Sequence, residues 1–394
     1  MPKISTAFLA LLFLGLAGAG GAARADVTFD TPATHAVIMD YETGEVLFAK
    51  NAHQPTPPAS MAKMMTVHLV FQALEEGRLK LDDEFTVSAN AWRKGGAATG
   101  GSTMFLEPKQ RVRVEDLLRG VMIQSGNDAS IVLAEGLAGS EALFAANMTE
   151  EAQAIGMKDT VFKTATGLPA EGQQTTVYDL ALLARDTIMK YPQYYEIYKE
   201  KNFTYNGIKQ GNRNPLLYKN IGVDGLKTGH TEAAGYGLTA SGVRNGRRLI
   251  VAFNGTESMN DRSSVGEALL GYGFLNFDNY HLFKAGQSIG DLNVWLGDKP
   301  SIPMVIPNDV TLVLKRADHS KMKVTAEYDE PIPAPLKEGD QVGKVHIDFD
   351  GERDPIDVPI LAGASVGGLG VIQKVGAAIE YLIFGASAGK PAAN

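Results

Sequence analysis

Tyr236-Gly237-Leu238-Thr239-Ala240-Ser241-Gly242-Val243-Arg244-Asn245-Gly246-Arg247-Arg248-Leu249-Ile250-Val251-Ala252-Phe253 reads as two strands joined by a tight turn. Asn245-Gly246 is a strong two-residue hairpin signal, because both residues tolerate the positive φ that such a turn demands. Upstream, Leu226-Lys227-Thr228 supplies another strand, and downstream Asp261 to Leu275 has the pattern of a helix. Near the start, Ala36 to Asp40 and Glu45 to Lys50 read as strands around a Tyr41-Glu42-Thr43-Gly44 turn, with Pro57-Pro58 ending the hairpin. The stretch between is helical in pattern. A helix is predicted from about Ser60 to Glu76, ending at Gly77, and a mostly helical region from Val114 to about Ile188. Ser125-Gly126 and a loop, Gly167 to Gln174, break that region, and a helix restarts near Thr176 with Asp179 placed for a capping-box contact. Strands at both ends with helices between predict an α+β fold. It is one mixed sheet whose first and last strands are brought together by a helical insertion.

Beyond about Tyr280, short alternating stretches such as Val310 to Leu314, Met322 to Glu327 and Gly343 to Ile347 are separated by Pro, Gly and Asp. That predicts a small C-terminal all-β domain, and it holds no cluster of catalytic residues. At the other end, Lys3, an apolar run from Ala7 to Ala19, and Ala23-Arg24-Ala25 have the layout of an export signal cut after Ala25. In the tail, Val371, Ile372, Val375, Ile379, Leu382 and Ile383 recur at helical spacing, while Lys374 and Glu380 fall elsewhere on the wheel. Such a segment suits lying in a membrane interface rather than crossing it; a helix docked on the β domain has the same periodicity. The expected divisions are therefore a signal at 1–25, a catalytic domain at 26–280, a β domain at 281–363 and an amphipathic anchor with tail at 364–394.

The chain has 394 residues, 44% hydrophobic and 21% charged, ordinary proportions for a globular protein that buries a large core. A formal charge of −8 argues against nucleic acid as a partner. There is no cysteine, so an exported form relies on its core and not on disulfides.

Three short motifs carry the chemistry: Ser60-Met61-Ala62-Lys63, Ser125-Gly126-Asn127 and Lys227-Thr228-Gly229. Residues i and i+3 share a helix face, so Lys63 can serve Ser60 as a base for attack on a carbonyl. Lysine must be neutral for that role. Bringing its pKa from about 10.4 to about 7 costs roughly 4 to 5 kcal/mol. A second ammonium about 4 Å away supplies about 4 kcal/mol at an effective dielectric near 20. Lys227 is the candidate for that second charge, with burial acting in the same direction. Ser125 can relay a proton to a leaving amine, and Asn127 can hold a substrate amide through its donor and acceptor. Lys227 and Thr228 can attract a carboxylate, and Gly229 lets a peptide lie close to the strand. The backbone N–H groups of Ser60 and His230 suit an oxyanion hole. Arg213 and Arg262 are further carboxylate candidates, although each also fits a plain surface arginine.

Each motif alone is cheap. Ser320-Lys321-Met322-Lys323 and Ser88-Ala89-Asn90 match the first two patterns, the latter following a strand at Phe85 to Val87 and entering a loop. The order of the three is the informative feature. The seven histidines include no metal-binding pair, so no metal and no cofactor is implied, and a lone His230 reads as a structural residue or as one that supports the site from behind, not as a ligand.

With these residues in place, the chain resembles the low-molecular-mass penicillin-binding proteins that act as exported serine-type D-alanyl-D-alanine carboxypeptidases. The resemblance rests on Ala59 to Thr66, Gln124 to Ala129 and Asp224 to Thr231, with the β domain and tail helix matching the family layout. It implies a β-lactamase/transpeptidase-like fold, Ser60 as acylated nucleophile, Lys63 as general base, and Ser125, Asn127 and Lys227 completing the site. Arg213 and Arg262 match arginines that the family places around it. It also implies removal of the terminal D-alanine from peptidoglycan stem pentapeptides, acylation by β-lactams, and a periplasmic place on the outer face of the inner membrane. One departure is Thr164, where many relatives have asparagine. An endopeptidase uses the same three motifs but usually lacks the second domain. A class A β-lactamase needs a loop glutamate, and Glu171, the one acid nearby, stands in unlike surroundings. A protein that only binds peptidoglycan is argued against by the intact Ser60, Lys63, Ser125 and Lys227.

Overall fold

The computed structural model describes residues 29–351, 353–370 and Val375. The signal segment and, Val375 apart, the tail helix from residue 371 onward lie outside the described residues. The chain divides after Phe277 into two units, each with its own core.

In the first unit, β1 (His35–Asp40) and β2 (Val46–Lys50) form the opening hairpin. A 3₁₀ turn, Ala59–Ala62, runs directly into α1 (Lys63–Glu75), so Ser60 stands one element before the predicted helix. β3 (Glu84–Thr86), α2 (Ala89–Gly95) and β4 (Arg111–Arg113) follow, β3 pairing with β4. Next come α3 (Val114–Met122), α4 (Asn127–Ala138), α5 (Glu141–Ala154), α6 (Val177–Lys190) and the short α7 (Pro192–Tyr195). A small hairpin of β5 (Asn202–Tyr205) and β6 (Ile208–Gly211) leads to β7 (Val223–Thr231), β8 (Gly235–Arg244), β9 (Arg247–Thr256) and α8 (Met259–Asn276).

The main sheet has the order β2-β1-β9-β8-β7, with β7 at an edge. Its four pairings are antiparallel, and β1 reaches β9 across the whole helical insertion, Ile38 opposite Val251. Both faces are covered, which is why β1 and β9 read as nearly unbroken apolar runs. Val37, Met39, Ile250 and Ala252 join the large core containing α1, whereas Ile38, Leu249, Val251 and Phe253 join the core containing Leu269 and Leu270 of α8. Each such side chain fully buried contributes about 1.5 to 3 kcal/mol.

Three local expectations change. The break between α5 and α6 spans residues 155–176 rather than Gly167 to Gln174, because the turns there are tied down by a β-bridge between Val161 and Gln174 instead of continuing either helix. Thr176 does cap α6, accepting from the Asp179 N–H at 3.0 Å. The Asp179 carboxylate does not close a capping box, however; it accepts from the Thr160 hydroxyl at 2.6 Å and the Asp159 N–H at 3.1 Å, anchoring that long loop. Ser88-Ala89-Asn90 enters a helix, not a loop: the Ser88 hydroxyl accepts from the Ala91 N–H at 2.9 Å and caps α2.

The second unit contains β10 (Phe277–Phe283), β11 (Ser288–Trp295), β12 (Ser301–Val305), β13 (Val310–Lys315), β14 (Lys323–Tyr328), β15 (Ile332–Pro333), β16 (Gln341–Asp348) and β17 (Ile356–Ala362). Six of these make one sheet, β14-β16-β17-β12-β11-β15, around Leu292, Val345, Ile347 and Ile360, and β10 pairs with β13. Bridges from Leu336 to Val366 and from Gly297 to Gly368 carry this fold past Gly363, and Val366 belongs to its core. The stray Ser320…Lys323 match falls here, at the surface.

Candidate active site

Ser60 and Lys63 straddle the junction of the 3₁₀ turn and α1. In 3₁₀ geometry i and i+3 side chains eclipse, which brings Lys63 Nζ within 3.1 Å of Ser60 Oγ. Lys63 is wholly buried and its Nζ also donates to the Thr166 carbonyl at 2.6 Å. That carbonyl comes from the 155–176 loop, which presses backbone to backbone on the 3₁₀ turn that carries Ser60. Gly167 has φ +74, and a Cβ there would stand 1.8 Å from the Ala59 oxygen. Thr164 holds the loop from within: its hydroxyl accepts the Gly167 N–H at 3.0 Å and donates to Gln173 Oε1 at 3.2 Å. Glu171 in the same loop is exposed.

Ser125 connects α3 to α4 at φ +63, the left-handed region that a serine adopts only under constraint. The Gly126 N–H beside it donates to the Gly120 carbonyl at 2.9 Å. Asp128 is wholly buried in the first turn of α4. Its carboxylate accepts from the Thr103 hydroxyl at 2.7 Å and the N–H groups of Met104 at 2.8 Å and Leu106 at 3.1 Å. Asn127 is buried, its N–H donates to the Ser102 carbonyl at 2.8 Å, and its Oδ1 has no partner among the described residues. An acceptor left bare in this way is costly unless a ligand fills it.

β7 completes the cleft. Lys227, opposite Thr239 of β8, is buried, and its Nζ donates to Ser125 Oγ at 2.9 Å and to the Thr228 carbonyl at 3.0 Å. Thr228 is buried beside it. At Gly229 a Cβ would come within 3.1 Å of Ala59 Cβ and 3.2 Å of Met61 Cγ, so the missing side chain lets β7 approach the turn that carries Ser60. His230 is exposed and stacks on Tyr236 with ring centroids 4.0 Å apart. Arg213 is exposed, its Nε donating to the Gln124 carbonyl at 3.1 Å. Arg262 is no surface arginine: it is buried, its guanidinium lies 5.5 Å from the Tyr236 ring, and its Nε is unpartnered among the described residues.

The electrostatics differ from expectation in one respect. Burial, not Lys227, is the leading cause that brings Lys63 down to about 7; Arg213 adds to the lowering and Asp128 opposes it. The physical reason is that Lys63 is completely sealed from water beneath Ser60, and desolvation disfavours its charged form. Lys227 is also held well below its ordinary value, by burial first and then by the charges of Lys63, Arg213 and Arg262. Two parts of the site were not foreseen from the residues. The Thr166 carbonyl is backbone and leaves no sequence signal. Asp128 does leave one, an acid in the first turn of a helix directly after Ser125-Gly126-Asn127, but its partners lie 22 to 25 residues upstream. Among the described residues no three His, Asp or Glu side chains are grouped to hold a metal ion.

Two family models match this chain: D-alanyl-D-alanine carboxypeptidase over residues 22–257, and the C-terminal domain of penicillin-binding protein 5 over residues 277–368. The chain is 40% identical to the D-alanyl-D-alanine carboxypeptidase DacD of Escherichia coli K12 over 343 residues, 85% of this chain and 88% of that protein. It is 39% identical to DacA of the same strain over 319 residues, 80% of this chain and 79% of that protein. Among solved structures, penicillin binding protein 5 from Haemophilus influenzae superposes with a TM-score of 0.76 at 37% identity, covering 86% of this chain and 98% of that one.

Proposed function

The chain belongs to the D-alanyl-D-alanine carboxypeptidase family, and on that premise we propose how its own residues perform the reaction. It is a serine-type carboxypeptidase acting on peptidoglycan peptides, with β-lactams as its inhibitors. In the proposed mechanism, Ser60 Oγ attacks the carbonyl of the penultimate D-alanine while neutral Lys63 takes the hydroxyl proton. The oxyanion forms against the N–H groups of Ser60 and His230. As the C–N bond breaks, Ser125, hydrogen-bonded to Lys227, passes its proton to the departing D-alanine amine and takes back the proton that Lys63 removed from Ser60, which leaves Lys63 neutral again. Water then hydrolyses the ester on Ser60, with Lys63 as base, and the shortened peptide leaves. Lys227, Thr228, Arg213 and Arg262 attract the terminal carboxylate, and Asn127 Oδ1 accepts from a substrate amide. The observation that carries this reading is the pair of buried lysines, each within hydrogen-bonding reach of one serine hydroxyl: 3.1 Å for Lys63 and Ser60, 2.9 Å for Lys227 and Ser125.

Incubating the protein with a stem pentapeptide and identifying the released amino acid tests the reaction. Stoichiometric D-alanine is the expected product; an uncleaved peptide overturns the reading.

Export through Met1–Ala25 to the periplasm, and attachment to the outer face of the inner membrane through the tail helix, belong to the same proposal and rest on sequence pattern. Among the described residues no single helix is long and apolar enough to cross a membrane. Because Val366 lies in the core of the second unit, the tail is best removed after Gly370. That form should leave the membrane fraction and keep its activity on small peptides; retention in the membrane would contradict the anchor.

A further inference from the structure

Arg262 is a buried cation held in place without a polar partner. The first turn of α8 carries it: Ser258 caps the helix, and the Arg262 backbone N–H donates to the Ser258 carbonyl at 3.0 Å. Its side chain makes no hydrogen bond and no ion pair among the described residues. Burial, opposed by Tyr236 and aided by the charge of Arg213, holds the guanidinium below its ordinary value. Lys227 and Arg262 also act on each other as like charges.

The group that meets this guanidinium is aromatic. Its carbon lies over the Tyr236 ring, 5.5 Å from the centroid. At that range a ring face attracts a cation, and more strongly where water is excluded. Tyr236 is itself fixed twice. In the β7–β8 ladder it stands directly opposite His230, and the two rings stack with centroids 4.0 Å apart. Its carbonyl accepts from the Thr256 hydroxyl at 3.0 Å, which ties the same residue to β9. The Tyr236 hydroxyl has no hydrogen bond among the described residues, so its hold on Arg262 comes through the ring.

We propose that Tyr236 is a positioning residue for carboxylate recognition: its ring, pinned by the His230 stack, holds the Arg262 guanidinium where the terminal carboxylate of a substrate meets it. The proposal rests on the carboxypeptidase reading above and adds to it a residue outside the three motifs. Without the ring, Arg262 keeps the repulsion of Lys227 and Arg213 and has no polar partner to retain it.

The test follows D-alanine release from Nα,Nε-diacetyl-L-Lys-D-Ala-D-Ala by the full chain. It compares wild type with Tyr236→Leu, Tyr236→Phe, Arg262→Gln and the double variant Tyr236→Leu, Arg262→Gln, each beside a melting curve. A carboxylate contact made alike in bound substrate and transition state appears in KM. Tyr236→Leu should therefore raise KM about tenfold, the scale of a desolvated cation–ring pair, and leave kcat within about threefold. Tyr236→Phe keeps the ring and should stay within about twofold of wild type. Because the effect passes through Arg262, the double variant should be within about twofold of Arg262→Gln. Tyr236→Val, which suits a strand, repeats the truncation should the leucine form fail to fold. Losses that multiply in the double variant, a Tyr236→Phe variant as impaired as Tyr236→Leu, or an unchanged KM in Tyr236→Leu each overturn the positioning role alone. Failure of wild type to release D-alanine overturns the carboxypeptidase reading and the role with it.

Discussion

In the proposed mechanism the chemistry turns on Lys63, and its properties come from where it is buried. Held down to about 7, it is neutral in half the molecules near that pH and charged below it. Acylation by penicillin should therefore rise about tenfold per pH unit up to about 7 and level off above. Because burial leads, Lys227→Ala should lower acylation by about tenfold to a hundredfold through lost charge stabilisation, yet leave the inflection within about half a unit. An inflection displaced upward by a full unit would put the neighbouring ammonium first, as the motif spacing alone suggests. Stability follows from the same group. Between pH 7 and about 10.4 the unfolded chain keeps a proton that folded Lys63 gives up, so folding strengthens as pH rises through that window. Below it the cost is full, roughly 4 to 5 kcal/mol. Lys63→Met removes that cost and leaves the Thr166 carbonyl unpaired, worth about 1 to 3 kcal/mol. The inactive variant should melt higher than wild type at pH 6 and lose the advantage by pH 9.5. A difference independent of pH would contradict this.

Among the elements, the 155–176 loop matters most for the site and was the least legible. The hairpins at Tyr41-Glu42-Thr43-Gly44 and Asn245-Gly246 follow from turn chemistry, and the structure has them where the sequence puts them; α2 was missed because Ser88 reads as well as a loop residue as it does as a helix cap. The Ser60–Lys63 contact was legible from helical spacing; the Ser125–Lys227 contact was not, because the motifs lie 102 residues apart and the spacing suggested Lys227 as a charge beside Lys63. The loop is different: its contacts are made by backbone, Thr166 O to Lys63 Nζ and Gly167 against Ala59 O, and backbone atoms are the same whatever the sequence. Only Gly167 itself, at φ +74, records the constraint. Gly167→Ala should therefore act on function more than on fold. Its Cβ would overlap the Ala59 oxygen and push the loop off the turn that carries Ser60, moving the acceptor bound to Lys63. Acylation should fall by about a hundredfold, the scale of misplacing a catalytic group, and stopped-flow kinetics beside a melting curve would separate the two effects. Loss of melting stability with an unchanged acylation rate would contradict the role given to the loop.

For the whole molecule, every residue of the candidate site lies within the unit 26–277, which has its own sheet and cores. Residues 26–277 alone should thus be acylated by penicillin within about threefold of the full chain, because the second unit adds no group to the chemistry; a fragment that folds but is not acylated would contradict that. In the sequence the pattern changes from helical to short alternating stretches beyond about Tyr280, and the chain divides after Phe277. The closing contacts past Gly363 left no sequence signal, because Leu336–Val366 and Gly297–Gly368 are isolated bridges without strand periodicity. What joins these scales is the claim that Ser60 becomes an ester. Mass spectrometry of the intact protein after incubation with benzylpenicillin, followed by peptide mapping, tests it most directly. One penicilloyl group on Ser60, absent from Ser60→Ala, is the predicted result; an adduct on any other residue, or full labelling of Ser60→Ala, would contradict it.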